Sequence, residues 1–587
     1  MEIDPITVEV IKGALIYAAE EMGIVLRNSS YSPNIKERMD FSCTIFDGKR
    51  RLAAQAEHIP VHLGSMQLAV QKGLERFRGN LEDGDMIILN DPYISGTHLP
   101  DITLICPIFY KDEIVAYSAN KAHHSDVGGK APGSMAGDSS EIYQEGVIIP
   151  PVKFIKKNVV DEEISSIILS NIRTPEIRIG DLRAQMAANI LGKRRVLEII
   201  EKYGVETFRE VVEEIMNYSE RRMKREIGKM PRGSWEAEDY LENTGVSNDK
   251  VKIRVKLTVK KSQLIIDYTG TDKQVNGPVN AVLGVTLSGV YYVLRCMTDP
   301  DIPMNDGCYR PVKVLVPEGT LMNPIPPAPV AGGNVETSQR NVDVLLKAFA
   351  QALPERVCAA CQGTMNNVAV GGINPENGKP WTFYETIAGG YGGRKGLDGI
   401  DAIHSHMTNT MNTPIEAIET TYPIRFLKYE LREDSGGPGK WRGGVGLERS
   451  WMLLAPSATL SILAERTEIP PWGLCNGKPG ATGEFYIIKQ NDEKIKLSSK
   501  CTVKIEKGDM FVVRTPGGGG YGDPFERSPE LVHRDVLNGL VSLEAARKQY
   551  GVVIDQEKME IDWKSTSQLR LTKGNINTQH STSQDKN

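Results

Sequence analysis

The chain has 587 residues and a formal net charge of only −5, with 25% of its residues charged. This length is too great for a single hydrophobic core, so we expect about two to four domains. The nearly balanced charge argues against a nucleic-acid-binding protein, which normally presents a strongly basic face.

The sequence also argues against a membrane protein. Its longest nearly apolar run, 281–294, falls short of the roughly 20 residues that a membrane-spanning helix needs. The eight cysteines are scattered, and residues 1–5 lack the basic stretch of a secretory signal. We therefore expect a cytoplasmic protein with reduced thiols.

The first predicted element is a helix that begins at Asp4 and Pro5, a good capping pair, and continues with apolar residues at helical spacing to residue 25. A strand is predicted over 41–48. Two histidines follow it, His58 and His62, and a proline between them argues against a shared helical face. We interpret them as structural in preference to pocket-lining.

A β-hairpin is predicted next. The runs 102–110 and 114–122 are rich in Ile, Val, Thr and Tyr, and the polar tripeptide 111–113 separates them. Pro107 must then lie where the ladder does not need its missing amide hydrogen. The hairpin turn is predicted to be the three residues 111–113.

The register of this hairpin predicts a cluster of ligand-type side chains. With a three-residue turn, Tyr110 faces Ile114 and counting outward places Asp101 directly opposite His123, whereas a turn one residue shorter moves the pairing by one. Opposed side chains have Cβ atoms about 5 Å apart, close enough to share a metal ion. His98 joins them if a tight loop folds it back over the strand end.

Two imidazoles and one carboxylate, with coordination positions left open, suit Fe(II), Mn(II) or a catalytic Zn(II). A simpler interpretation also stands, in which His98 only hydrogen-bonds the Asp101 carboxylate within a turn. The residues alone do not decide between these two interpretations.

The middle of the chain is predicted to be helical and then mixed. Apolar residues at three- and four-residue steps over 174–230 predict amphipathic helices, and the alternation over 251–259 predicts a half-buried strand. The glycines of 331–333 precede a helix predicted over 338–353 and either bind an anion through free amides or form only a tight turn. Cys358 and Cys361 form a single Cys-x-x-Cys, which we interpret as two small core residues on a helix.

The last part is predicted to be Gly-rich and mainly β, with helices after residue 527 and a polar tail that we expect to be disordered. Overall the sequence predicts a multi-domain α+β fold with mixed and antiparallel sheets and a central helical segment. The predicted units are an α+β metal-site domain over 1–172, a helical segment over 173–232, an α+β domain over 233–380, a mainly β domain over 381–526, helices over 527–564 and the tail over 565–587.

An ordered series of segments along nearly the whole chain resembles the hydantoinase B / oxoprolinase family, which also includes the metal-bearing subunit of acetone carboxylase. Any one of the glycine clusters is a weak signal, but the ordered series is specific. The segments are 90–101 (NDPYISGTHLPD), 122–129 (AHHSDVGG), 145–146 (EG), 389–394 (GGYGGR), 434–439 (DSGGPG), 441–444 (WRGG) and 515–522 (TPGGGGYG).

The resemblance implies a divalent metal ion at His98, Asp101 and His123, with manganese favoured and zinc or iron as alternatives. It also implies ATP-dependent opening of a cyclic amide such as a hydantoin or oxoproline. The chain has no Gly-x-x-x-x-Gly-Lys-Ser/Thr phosphate loop. We therefore expect ATP to bind a hydantoinase A-like partner in a hetero-oligomer. The alternatives are a subunit of the acetone carboxylase type and a non-catalytic subunit whose metal is structural.

Further residues are predicted to act beside the metal. His124 and Asp126 are catalytic candidates, and Asp126 is the carboxylate nearest in sequence that can fix the tautomer of a ligand histidine. Strand alternation places Lys121 on the face of His123 and turns His124 away. Glu37 is a third catalytic candidate, because the family places the segment around Arg38 close to the site, although such a charged cluster is often only a solvated face. Glu145 is either another supporting group or a surface residue.

Overall fold

The computed structural model describes residues 4–56 and 58–571. Helices and several sheets alternate along them, which confirms the predicted α+β class. The first helix begins where the sequence predicts, because the Asp4 carboxylate accepts hydrogen bonds from the Ile6 and Thr7 amides. The helices are α1 (Pro5–Ser29), α2 (Pro33–Lys36), α3 (His62–Gly73), α4 (Pro92–Ser95), α5 (Glu162–Ser170), α6 (Pro175–Tyr203), α7 (Val205–Gly228), α8 (Leu283–Met297), α9 (Ser338–Ala352), α10 (Ile415–Thr421), α11 (Pro529–Leu537) and α12 (Leu543–Tyr550).

The strands of the described residues form one sheet of seven strands, one of five, two of four and a two-stranded pair. They are β1 (Phe41–Asp47), β2 (Leu52–Gln55), β3 (Met86–Leu89), β4 (Asp101–Tyr110), β5 (Glu113–His123), β6 (Val152–Lys156), β7 (Val159–Val160), β8 (Gly233–Leu241), β9 (Val251–Lys260), β10 (Gln263–Asp267), β11 (Val312–Leu315), β12 (Asn367–Ile373), β13 (Pro380–Glu385), β14 (Ile424–Leu431), β15 (Leu447–Leu453), β16 (Ser457–Leu463), β17 (Glu484–Ile488), β18 (Lys494–Lys496), β19 (Lys500–Glu506), β20 (Met510–Arg514), β21 (Ile554–Asp555) and β22 (Glu560–Ile561).

The seven-stranded sheet has the order β2-β1-β5-β4-β3-β6-β7, and its strands pair antiparallel. Helices cover both faces. On one face, Ile45 packs with apolar residues of α1 and α6, and on the other Phe46 packs with residues of α3. The hairpin strands β4 and β5 lie at the centre of this sheet, which makes their ends a rigid place for a functional site.

The remaining sheets build the rest of the molecule. The order β11-β10-β9-β8 is mixed, because β10 and β11 are parallel, and α9 packs against β8 and β9. The sheets β13-β12-β16-β19 and β14-β15-β20-β17-β18 share one apolar core that includes Val370, Ile462, Trp451 and Phe511. The predicted combination of mixed and antiparallel sheets is confirmed.

The predicted helical segment 173–232 corresponds to α6 and α7, and β8 begins at Gly233, the first residue of the next predicted unit. However, α6 packs closely on α1, β4 and β5 of the preceding segment. The division of the chain into the six predicted units therefore stays a prediction. None of the described helices combines the length and apolar character needed to cross a membrane.

Two local predictions need correction. Cys358 and Cys361 do not lie on a helix, because α9 ends before them and the segment that carries them has no regular secondary structure. A further helix over the described residues 563–571 extends into the predicted tail, and Thr566 is buried with its hydroxyl group hydrogen-bonded to Val553. Residues 572–587 lie outside the described residues.

The Gly-rich region brings backbone segments into direct contact. A Cβ atom on Gly518 would lie 2.1 Å from the carbonyl oxygen of Tyr391, and one on Gly444 would lie 2.0 Å from that of Ile400. Neither distance is possible for a real side chain. Glycine is needed at these positions because the neighbouring backbone occupies the space of a side chain.

Candidate metal centre

The centre lies where the central hairpin ends. The short helix α4 stops at Gly96, whose φ of 77° turns the chain, and the following loop folds His98 over the start of β4. The Asp101 amide donates a hydrogen bond to the His98 carbonyl oxygen at 3.1 Å, which closes this loop. The loop places the His98 ring beside the Asp101 side chain, as the sequence predicts.

The hairpin pairs Asp101 directly opposite His123, as predicted, but the predicted turn is wrong. The turn has two residues, 111–112, and Tyr110 pairs with Glu113. A register shift between Ile108 and Phe109 leaves one extra residue in β5 and restores the pairing that the longer turn would give. Pro107 lies beyond the last residue of β4 that pairs with β3, so that strand does not need its amide hydrogen.

Three potential ligand atoms meet at the end of the hairpin. His98 Nε2 lies 3.1 Å from His123 Nδ1 and 3.2 Å from Asp101 Oδ1, and His123 Nδ1 also lies 3.2 Å from Asp101 Oδ1. Such separations are those expected of atoms bound at about 2.1 Å to one ion. The three residues are the one cluster of metal-ligand type among the described residues.

The chemistry of these atoms also fits a cation. Burial by itself raises the pKa of Asp101, but the neighbouring His98 and hydrogen bonds from three histidines bring the pKa well below its usual value of 3.8. With Asp101 ionised, His98 Nε2 and His123 Nδ1 must each donate a hydrogen to it. The two N–H donors then face each other across 3.1 Å. No placement of protons makes all three contacts attractive, whereas a divalent ion between the atoms does.

His62 supports the carboxylate from the other side. Its Nε2 lies 3.4 Å from Asp101 Oδ2, and its Nδ1 lies 2.9 Å from the hydroxyl group of Ser42. The ring is buried at the start of α3, and burial lowers the pKa of His62. His62 therefore contacts the site, which the sequence did not favour, because only the tertiary fold brings α3 to the hairpin end.

The walls of the centre come from distant parts of the chain. The Tyr384 ring stacks on the His123 ring with centroids 4.7 Å apart, and its hydroxyl group donates to Asn367 Oδ1 at 2.7 Å. The guanidinium group of Arg38 lies 5.0 Å from the centroid of the Tyr384 ring and donates to the Tyr384 carbonyl oxygen at 3.1 Å. The remaining lining residues include Asp40, Asn334, Val335, Met365 and Met407.

The enclosed space is small. The cavity has a volume of about 20 Å³, and His98, Asp101 and His123 are exposed by only 0%, 1% and 3%. A space of this size holds a water molecule or an ion. Asp40 lines the cavity and offers a further carboxylate there, in agreement with the family resemblance, which places the segment around Arg38 close to the site.

None of the three predicted catalytic residues, His124, Asp126 and Glu37, lines the metal cavity. His124 faces away from it, as predicted, and its Nε2 lies 2.9 Å from Gln185 Oε1. The Asp126 carboxylate accepts hydrogen bonds from the Gly128 and Gly133 amides and pairs with Arg173, so its contacts stabilise a loop. Glu37 lines a different cavity, where burial raises its pKa.

Two further predicted residues are buried. The Lys121 ammonium group donates to the Ser95 carbonyl oxygen at 2.8 Å and to two hydroxyl groups, and burial lowers its pKa to about 7. Glu145 is 1% exposed, and its carboxylate accepts hydrogen bonds from the Val330 and Ala331 amides at 2.9 to 3.1 Å. Burial raises the pKa of Glu145 to about 8, although the two amides oppose this shift.

The Glu145 side chain binds backbone amides of the segment before α9. The sequence left open whether the glycines of 331–333 bind an anion or form a turn. The structure places the Glu145 side chain on the amides at 330 and 331, and a π-helical turn, Gly333–Thr337, then leads into α9. The protein supplies its own acidic group there.

Comparison with known proteins identifies the family. Residues 4–524 match the sequence model of the Hydantoinase B/oxoprolinase family. The chain belongs to this family. It is 38% identical to a putative D-/L-hydantoinase subunit of Pseudomonas sp. (strain NS671), with 97% of this chain and 98% of that protein covered. It is also 38% identical to the 5-oxoprolinase of Dictyostelium discoideum, where the match covers 89% of this chain but only 40% of the oxoprolinase.

Two solved structures share the fold of this hydantoinase B homologue. The ATP-dependent caprolactamase of Pseudomonas jessenii superimposes with a TM-score of 0.90 at 31% identity, covering 97% of this chain and all of the matched chain. A nucleotide-free acetone carboxylase superimposes with a TM-score of 0.91, covering 98% of this chain and 84% of the other, at 20% identity. The second similarity concerns the fold alone.

Proposed function

We propose that the chain is the metal-dependent component of an ATP-dependent cyclic amide hydrolase of the hydantoinase and 5-oxoprolinase type. The observation that carries this proposal is the meeting of His98, Asp101 and His123 at ligand-type distances in a buried cavity. Relatives named as 5-oxoprolinases and as part of a hydantoinase, and a structural neighbour named as a caprolactamase, support the substrate class.

A divalent ion held by these three residues supplies Lewis acidity for an amide carbonyl and lowers the pKa of water from about 16 toward 7. We favour manganese from the family resemblance, and zinc and iron use the same ligand types. Asp101 provides the negative charge of the site, and both imidazoles bind a cation in their neutral form.

The surrounding residues fix the orientation of the ligand side chains. His62, placed between Ser42 Oγ and Asp101 Oδ2, orients the carboxylate, and Tyr384 holds the plane of the His123 ring by stacking. Arg38 fixes the backbone of Tyr384. The apolar lining residues exclude bulk water, which strengthens each electrostatic interaction inside the cavity.

We propose that ATP is bound by a separate hydantoinase A-like polypeptide, which activates the substrate. One relative is named as a single component of a hydantoinase, and the chain matches only 40% of a full-length 5-oxoprolinase, which leaves most of that protein to perform other steps. The chain carries no phosphate-loop motif of its own. These features favour a hetero-oligomer, and the eight free cysteines favour a cytoplasmic location.

Co-purification with the ATP-binding partner tests the proposal. We expect ATP-dependent opening of a hydantoin, 5-oxoproline or a simple lactam by the complex, and none by this chain alone. His123→Ala should abolish turnover while circular dichroism and the melting transition show a folded protein, whereas a structural metal would be lost together with the fold. Ring opening by the isolated chain, or full activity of the His123→Ala complex, would refute the proposal.

A further inference from the structure

The strand β14 forms one edge of the five-stranded sheet, because it stands first in the order β14-β15-β20-β17-β18. It pairs with β15 on one side. On its other side, Glu419 of α10 accepts a hydrogen bond from the Phe426 amide at 2.6 Å. The rest of the strand, 427–431, is exposed at every residue, and no strand of the described residues pairs with its outer side.

The backbone of this stretch directs hydrogen-bonding groups outward. The Arg432 amide donates to the Gly446 carbonyl oxygen at 2.9 Å, which fixes the phase of the ladder between β14 and β15. Bonded and non-bonded pairs alternate in an antiparallel ladder, so the amides and carbonyls of Tyr429 and Leu431 face away from β15. Within the described part of the chain, no group accepts a hydrogen bond from these two amides. Such an edge is a template for pairing with another strand.

Apolar side chains accompany the free edge. Leu427, Tyr429 and Leu431 are exposed by 42%, 42% and 45%. Met411 is 51% exposed and precedes Asn412, whose side chain hydrogen-bonds the Tyr429 hydroxyl group. A further strand added to this edge would remove apolar surface from water as well as pair the backbone.

The charges on the edge match those of a second copy. In an antiparallel pair of two β14 strands with a two-fold axis at Tyr429, residue 428 lies opposite residue 430 of the other copy and 427 lies opposite 431. Lys428 of each copy then faces Glu430 of the other, and leucine faces leucine. Opposite charges and apolar pairs at such positions stabilise an antiparallel ladder.

Each charge on this face has room for a second partner. The side chains of Lys428 and Glu430 are 50% and 55% exposed. Lys428 Nζ is shared between Glu430 at 3.0 Å and Glu448 of β15 at 3.1 Å. The lysine of a second copy would give Glu430 a partner of its own.

Other positions of the two-fold axis fit less well. An axis at Lys428 or at Glu430 places like charges directly opposite each other, which is destabilising. An axis at Leu431 carries the pairing past the end of β14 to Arg432, whose guanidinium group already donates to the carbonyl oxygens of Thr482 and Thr515. The axis at Tyr429 keeps the pairing within the free stretch.

We propose that residues 427–431 bind a second copy of this chain by antiparallel, two-fold pairing of β14 with β14, so that two five-stranded sheets become one continuous sheet. The surface contains none of the residues His98, Asp101 and His123. Dimer formation therefore requires neither a bound ion nor an ATP-binding partner, and its test is independent of catalytic activity.

Sedimentation velocity of the purified full chain over a concentration series tests this proposal. We expect wild type to reach the dimer mass at about 10 µM. Lys428→Glu and Glu430→Lys should each raise the dimer dissociation constant about tenfold, because each substitution creates two like-charge contacts across the axis. The double variant, in which the two charges are exchanged, should restore association. Lys496→Glu is the matched control, since it makes the same change of charge on β18, the opposite edge of the same sheet.

Leu431→Pro tests the backbone pairing. Proline removes an amide hydrogen that faces away from β15, so circular dichroism and the melting transition should stay near those of wild type while the dimer weakens about tenfold or more. The proposal is wrong if wild type stays monomeric at about 100 µM. It is equally wrong if a dimer keeps its affinity in Leu431→Pro and in both single charge variants, or if the double variant associates no better than the single ones. A monomeric chain whose binding to an ATP-binding partner is lost in Leu431→Pro would assign the edge to that partner instead.

Discussion

His123 and His124 are neighbours in the chain, yet they have different environments. His123 lies at the end of β5 with its ring among Asp101, His98 and Tyr384, whereas the His124 ring contacts Gln185 of α6. The alternation of side chains along a strand produces this difference and can be derived from the sequence. The contacts with Tyr384 and Gln185 cannot be derived in this way, because β13 and α6 are remote in the chain.

The metal content of two single variants tests this assignment. We expect about one equivalent of divalent ion per wild-type chain, and His123→Ala should lower the affinity by about 100-fold or more because a ligand is lost. His124→Ala should keep the ion, since its ring faces away. Elemental analysis after equal dialysis makes the measurement. Full occupancy in His123→Ala would show that the ion binds elsewhere.

Glu145 gives the protein a pH-dependent stability. Its pKa of about 8 in the folded state lies above the ordinary value of 4.5, so between these values the unfolded chain has lost a proton that the folded chain keeps. Rising pH therefore favours unfolding by about 1 kcal/mol per pH unit in this window, and the contribution to stability is lost by pH 8. Below pH 4.5 both states are protonated and the contribution is fully present.

Glu145→Gln removes the titrating group and keeps the size of the side chain. We expect urea midpoints of wild type to fall relative to those of Glu145→Gln as pH rises from 5 to 8. Other titrating groups affect both proteins equally, so the difference isolates this carboxyl group. Parallel curves for the two proteins would contradict the assigned pKa.

At the scale of elements, the strand pairing of the central hairpin could be predicted from the sequence, whereas its turn and its bulge could not. The pairing of Asp101 with His123 follows from two β-rich runs of nearly equal length, and it is correct. The turn is one residue shorter than predicted, and an irregularity at Val115 compensates for it. A bulge of this kind cannot be recognised from the residue pattern, because the strand segments on either side of it each keep a regular alternation of side chains.

Two deletions in β5 should therefore behave differently. Deleting Val115, the extra residue, leaves Asp101 opposite His123 and should keep metal content near that of wild type. Deleting Ser118, within the regular part, forces a slip that either moves His123 or reverses the faces of 113–117. We expect Ser118 deletion to lower metal content, stability or both, as measured by elemental analysis and urea unfolding. Equal losses in both variants would show that the bulge does not set the register.

At the scale of the whole molecule, long-range packing decides what the sequence could not. The α+β class and the long helices follow from periodicity, because each face is encoded locally. The walls of the metal centre come from residues near 40, 335, 384 and 407, and no local pattern relates these positions. The glycine clusters are visible in the sequence, but only the fold shows that they bring backbones together.

A pair of glycine substitutions tests that role. Gly518→Ala should destabilise the protein by about 3 kcal/mol or more, because its Cβ would overlap the Tyr391 carbonyl oxygen and backbone would have to move. Gly13→Ala is the control, since this exposed helical position has no atom within 4 Å of an added Cβ. It should stabilise the protein by about 0.5–1 kcal/mol. Similar melting temperatures for wild type and Gly518→Ala would rule out the proposed backbone contact.

The potential ligands and the walls of the candidate metal centre come from separate parts of the chain, which bears on how an ion would enter it. His98, Asp101 and His123 lie within 26 consecutive residues, whereas Tyr384 and Met407, which close the cavity, lie more than 250 residues further along the chain. A growing polypeptide can present all three ligands well before the covering segments exist. Once those segments pack, release of the ion requires them to separate. For an ion bound at this site, we therefore expect the ions available during synthesis to influence which metal is held, in addition to the affinities of the finished protein.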